Sequence, residues 1–203
     1  MNTGSSSYGE SGTVKVSTGT GVGGSAGDIS LTVGTGDTGD GGDIILTSGE
    51  STSANYDGGD VTVTAGKGYG EAIDGGDIVL TGGEADSGSS SDSGVGGDIT
   101  LTGGASDLDL GGSLSLTSGY SSATDSGSIS MATAGAGTSG VSGLIEMNTG
   151  ASTNGASGAI SLTTGTGVGG SAGDISLTVG TGNTGDGGDV EVSAGESTSS
   201  TYD

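Results

Sequence analysis

The sequence predicts an all-β protein, a single-chain, right-handed parallel β-solenoid of about 12 coils with 15–21 residues in each coil. The first observation behind this prediction is a motif that reads Gly-Asp-Ile-Ser-Leu-Thr-Val-Gly at 27–34 and recurs, with variations, twelve times. The second is a strict alternation inside every copy, which places two apolar residues on one face of an extended segment. Because so short a segment cannot bury its own apolar face, we expect successive coils to stack about 4.8 Å apart.

Each repeat is numbered from the glycine that opens the motif, which is offset zero. The intervals between successive opening glycines are 15, 15, 17, 17, 21, 15, 15, 16, 15, 15 and 15 residues. A period of this size indicates a repeat architecture, and it is too short for strands that are connected by helices. The opening glycines are Gly12, Gly27, Gly42, Gly59, Gly76, Gly97, Gly112, Gly127, Gly143, Gly158, Gly173 and Gly188.

Offsets two and four are aliphatic or Met in all twelve repeats, which gives 24 apolar positions. Like residues would lie on like residues in a stacked array, and each buried side chain would contribute roughly 1.5–3 kcal/mol. The sequence therefore predicts a core ladder along the solenoid. Its clearest members are Ile29, Leu31, Ile44, Leu46, Ile78, Leu80, Ile99, Leu101, Ile160, Leu162, Ile175 and Leu177.

Offset seven is Gly in eleven repeats, with Ala134 as the exception. Glycine at a fixed corner position is typical of a backbone that needs positive φ. The remainder of each coil is poor in large apolar residues, as in Gly19–Ala26, and is interpreted as a thin second wall.

A longer repeat of 146 residues overlies the short one. The 18 residues of Gly19–Gly36 return unchanged at Gly165–Gly182, and Met1–Gly4 returns at Met147–Gly150. We therefore expect residues 1–203 to form one continuous solenoid segment, with a full super-repeat at 1–146 and a partial one at 147–203. Since no capping element is visible, the segment is interpreted as a window of a longer array.

Composition narrows the classes of function. The chain has no His and no Cys, so it has no conventional nucleophile system and no typical zinc site, and we expect no enzyme and no required cofactor. The formal net charge is −23, with Lys15 and Lys67 as the two cations. Such a charge argues against nucleic-acid partners, and no apolar run is long enough for membrane insertion.

Acidic residues at offset one form the one candidate metal site. Stacked coils would place their carboxylates in a column, and oxygen ligands favour Ca²⁺. The alternative is that each Asp accepts hydrogen bonds from turn N–H groups. The column comprises Asp28, Asp43, Asp60, Asp77 and Asp98.

The three long repeats place their extra residues at 49–58, 66–75 and 83–96. Insertions in repeat proteins form loops on one edge, so these segments are candidates for lateral contacts, or else simply tolerated surface loops. The candidate contact residues are Tyr56, Lys67, Tyr69 and Glu71.

The motif Gly-Asp-[Ile/Val]-x-Leu-Thr-x-Gly resembles the Gly/Ser/Thr-rich parallel β-solenoids of extracellular fibres and adhesins. The resemblance implies the shaft of an extracellular filament or cell-surface appendage, with the chain itself as partner through end-to-end and lateral contacts. The alternative is an ice-binding or adhesin-stalk solenoid, since Ser and Thr recur at offsets three and five, as in Ser30 and Thr32. Ser and Thr also simply suit a solvated strand face.

Overall fold

The computed structural model of the protein describes residues 2–86 and 94–198, and over these ranges it contains no helix and no strand. The predicted β-solenoid is therefore wrong. A strand requires a ladder of hydrogen bonds between neighbouring segments. In the described part of the chain, the backbone–backbone bonds instead join two glycines across a single loop. The local alternation of the sequence is present, but it does not produce a stacked sheet.

The accessible surface area shows the same departure from a packed fold. The chain exposes 19754 Å². A compact protein of 18.5 kDa would expose about 8,200 Å², and a fully unfolded chain about 27,000 Å². Among the described residues no side chain is buried, so the predicted core ladder does not form a hydrophobic core.

Each repeat consists of two parts. The arm comprises offsets one to six, and the loop runs from offset seven to the next opening glycine. The backbone bends once in each of eleven loops, the loop at 83–97 being described only in part, and the described arms carry no bend. The bends and turns lie at 7–9, 22–24, 37–39, 53–56, 70–72, 107–109, 122–124, 138–140, 153–155, 168–170 and 183–185.

The chain divides into two compact units, Met1–Gly112 and Ser113–Asp203. The first unit holds the arms that follow Gly12, Gly27, Gly42, Gly59, Gly76 and Gly97, together with the three long loops. The second unit holds the other six arms and only short loops. Each unit is thus a series of six arms.

Positive φ angles do not occur at offset seven, where the sequence led us to expect them. In the described residues they lie inside the loops, for example at Gly23 (75°) and Gly169 (82°). A Cβ added to Gly34 or Gly180, both at offset seven, would meet nothing within 4 Å. The bend, and not the corner after the arm, is where the backbone requires glycine.

No helix in the described part of the chain is long and apolar enough to cross a membrane.

Candidate interaction surface

The two ends of every loop meet at what we call a neck, formed by the offset-seven residue and the next opening glycine. In five consecutive necks the opening glycine donates its N–H to the carbonyl oxygen of the offset-seven glycine, at N···O distances of 2.8–2.9 Å. Surface loops with closed ends of this kind are Ω-like. These bonded necks are Gly49–Gly59, Gly66–Gly76, Gly83–Gly97, Gly104–Gly112 and Gly119–Gly127.

The other seven necks, all within the described residues, lack this bond, and we call them propped. The residue at offset six separates the two classes. It is small at every bonded neck, namely Ser48, Ala65, Gly82, Gly103 and Ser118. It is β-branched at every propped neck, namely Thr3, Thr18, Val33, Thr133, Thr149, Thr164 and Val179.

The branch of the side chain explains the difference. At the seven propped necks a Cβ placed on the opening glycine would lie between 2.7 Å (from Val33 Cγ1, at Gly42) and 3.8 Å (from Thr164 Cγ2, at Gly173) from the offset-six side chain. The branch therefore stands against the opening glycine, and a β-branched side chain has little rotamer freedom with which to move away. At every bonded neck such a Cβ would lie 2.9–3.5 Å from the backbone nitrogen of the offset-seven glycine, and at Gly59 it would also lie 2.6 Å from Ser48 Oγ. A Cβ on Gly112 would there meet the backbone nitrogen of Gly104 at 2.9 Å.

Bonded necks are also where the described chain is least exposed. Eight residues are half-buried, and seven of them lie beside bonded necks. Four of the seven are at offset six, and three lie two residues after the offset-seven glycine. Ser121, which is one of them, accepts hydrogen bonds at Oγ from the backbone N–H groups of Ala123 and Thr124, at 3.3 and 3.0 Å. Ser106 accepts one from Asp109 N–H at 3.1 Å in the preceding loop. A hydroxyl two residues inside the neck thus organises each of the two shortest bonded loops.

The residues predicted to form the core instead form twelve apolar pairs, one per arm, at offsets two and four. Side chains at offset two are 47–60 % exposed, and those at offset four are 58–89 % exposed. The members of a pair are two residues apart, so an extended arm presents both on one side. Each arm therefore offers a small apolar surface that nothing in the described chain covers fully.

A second set of exposed apolar side chains lies in the loops, where the abundance of Gly and Ser hides them from any periodic pattern in the sequence. These loop apolar residues are 91–100 % exposed. They sit at no fixed offset, so only their isolation among small residues could have revealed them. They are Val22, Val95, Leu108, Leu110, Val141 and Val168.

The acidic residues at offset one are exposed and are not brought together. Within the described residues, no group of three or more Asp and Glu side chains could hold a metal ion. Of the five, only Asp60 takes part in a hydrogen bond, and there its backbone carbonyl accepts from Ser48 Oγ at 3.2 Å, so none of the five carboxylates accepts a hydrogen bond from a turn N–H group. Calcium binding by Asp28, Asp43, Asp60, Asp77 and Asp98 stays a prediction.

In two arms of identical sequence, the hydroxyl groups at offsets three and five contact each other. Ser30 Oγ and Thr32 Oγ1 are 3.3 Å apart, and the equivalent Ser176 and Thr178 oxygens are 3.5 Å apart. A flat ice-binding face would need such pairs to be aligned on neighbouring strands. The described arms form no strands, so no observation favours that alternative.

The candidate lateral contacts lie on two of the bonded loops and are exposed. Tyr56 is in the turn at 53–56, and Glu71 is in the turn at 70–72. Lys67 Nζ lies 5.7 Å from the centroid of the Tyr69 ring, within the range of a cation–π contact. One of the two cations of the chain is thus held close to an aromatic ring, while the role of these residues in lateral contacts stays a prediction.

No family model matches this chain, and it matches no curated protein and no solved structure.

Proposed function

We propose that the chain is a structural segment, the shaft of an extracellular filament or cell-surface appendage, and that it carries no catalytic activity. The observation that supports this proposal most directly is the repetition of one arrangement. An arm with an exposed apolar pair recurs in all twelve repeats, and in five consecutive repeats the loop that follows is closed by a glycine–glycine hydrogen bond. A repeated surface suits a structural segment that provides length and repeated contacts. An active site, in contrast, needs one unique arrangement of catalytic residues.

The chemistry of the side chains supports a structural role as well. The chain has no His and no Cys, and its Asp and Glu residues are distributed along the repeats. A net charge of −23 keeps neighbouring shafts dispersed at low ionic strength. A surface of hydroxyl groups, carboxylates and glycine backbone remains hydrated without a packed core, which favours a location outside the cell. An adhesin stalk is one form of such a shaft.

The location can be tested on intact cells with antibodies raised against the 203-residue chain. We expect immunogold particles to lie along filaments or appendages outside the cell envelope, at a regular spacing when the antibody recognises Gly19–Gly36 and its copy Gly165–Gly182. Labelling that appears only after permeabilisation would contradict the proposal. A mass measurement on denatured filaments then distinguishes one giant chain from a polymer of shorter ones.

A further inference from the structure

The apolar pairs are the largest regular feature for which a single copy of the chain provides no partner. Each unit presents six pairs, or twelve side chains, and all of them are at least 47 % exposed. A fully exposed side chain of this type offers roughly 60–120 Å² of apolar surface. The pairs of one unit thus present on the order of 400–900 Å² to solvent. This surface is a sum over six separate arms, so a partner that covers it must carry apolar groups at matching intervals along its chain.

We propose that a second copy of this chain covers the apolar pairs, arm against arm. This inference rests on the proposed function and names the partner and the surface of the assembly. A stable interface buries about 800 Å² on each partner, which is close to what the pairs of one unit can supply. A second copy also carries apolar pairs at the same 15–21-residue intervals, so every arm finds an equivalent arm in register.

The charge of the chain determines how this association responds to salt. Offset one, next to each pair, is Asp in repeats such as those that open at Gly27, Gly42 and Gly173. Two copies that meet through their pairs bring carboxylates close together, so their repulsion opposes the contact. Salt screens that repulsion, because the Debye length falls from about 30 Å at 0.01 M to about 3 Å at 1 M. Association between copies therefore strengthens with salt, whereas binding of a cationic partner weakens with salt.

Sedimentation velocity of the 203-residue chain in about 0.01 M and about 1 M NaCl tests the proposal, these being the two screening limits. We expect monomers in low salt and dimers or larger assemblies in high salt. Monomers under both conditions would overturn the proposal. Assembly that needs added polylysine and dissolves as salt rises would also overturn it, because the pairs would then serve a cationic partner.

Two matched variants locate the contact. The first combines L31S, L46S, L80S and L101S and removes four offset-four members of the apolar pairs of the first unit. The second combines V22S, V95S, L108S and L110S and removes four loop apolar residues that are more exposed. We expect the first variant to weaken association at least a hundredfold and the second to leave it within about threefold, a difference that exceeds ordinary surface effects. Equal weakening by both variants would show non-specific adhesion and contradict the proposal.

The outcomes separate this inference from the proposed function. If the chain stays monomeric but its antibodies label filaments on the cell surface, the proposed shaft stands and only the proposed contact between apolar pairs is rejected. If the chain assembles through its apolar pairs but antibodies label it only inside cells, the proposed contact stands and the proposed extracellular shaft is rejected.

Discussion

Bonded and propped necks show how one side chain changes the local structure of an otherwise constant repeat. Every neck of both classes has an opening glycine, and every neck but one has glycine at offset seven. The exception is Ala134, which belongs to a propped neck. They differ consistently at offset six, which is small at five necks and β-branched at seven. A β-branch at offset six thus coincides at every neck with the absence of the backbone hydrogen bond that closes the loop.

The loops of the two classes also bend in different ways. Loops with propped necks place glycine with positive φ in the bend at five of seven positions, as at Gly9 and Gly185. The two shortest loops with bonded necks use the hydroxyl groups of Ser106 and Ser121 as acceptors for turn N–H groups. In these two loops a closed neck accompanies a turn organised by a side chain, whereas the bonded loop at Gly66–Gly76 has positive φ at Gly70 and Ala72.

Among substitutions at the necks, Gly112→Ala is expected to change amide hydrogen exchange the most. The new Cβ would lie 2.9 Å from the backbone nitrogen of Gly104, so the neck must open and its hydrogen bond must break. Loss of a net 0.5–1.5 kcal/mol corresponds to roughly two- to tenfold faster exchange of the amide at position 112. Hydrogen exchange measured by NMR checks this. Gly104→Ala is the control, because its Cβ would meet nothing within 4 Å and should leave the amide of Gly112 unchanged.

A somewhat smaller effect is expected from Ser118→Val, which places a branch at a bonded neck without changing either glycine. We expect the bond from Gly127 N–H to the Gly119 carbonyl to be lost in most molecules, with exchange of the Gly127 amide faster by up to about tenfold. Ser118→Ala adds no branch and should retain the bond. If the valine variant keeps the protection of the wild-type chain, the size of the offset-six residue does not control the neck.

The smallest effect is expected from the reverse change, Val33→Ala, at a propped neck. Removal of the branch allows Gly42 N–H to reach the Gly34 carbonyl, but closing the loop orders residues that are now free, and this cost offsets part of the gain. We expect the Gly42 amide to exchange about two- to fivefold more slowly, as seen by NMR. Val33→Thr retains a branch and should show no slowing; slowing in both variants would contradict the model of a steric prop.

The repeat itself could be predicted from the sequence, and its arms and loops begin and end where the glycines indicate. Whether Ile29 and Leu31 are buried or exposed could not be predicted, because alternation shows which side chains share a face but not what covers that face. The corner at offset seven was misassigned because sequence alone does not show which glycine of a glycine-rich loop takes positive φ, and the structure has positive φ inside the loops. The two classes of neck, in contrast, were visible in the sequence at offset six, where Ser, Ala and Gly alternate with Thr and Val in blocks.

The bonded necks have a mechanical consequence. Tension along the chain acts first on the single Gly–Gly hydrogen bond that bridges each of these loops, and the loop behind it carries no load until that bond breaks. Gly119 and Gly127 are eight residues apart, and Gly83 and Gly97 are fourteen apart. Full extension of such loops releases at most about 27 Å and 48 Å of contour, respectively. A shaft built from these repeats would lengthen in steps under a weak pull, and the size of each step would be set by the number of residues held behind its neck.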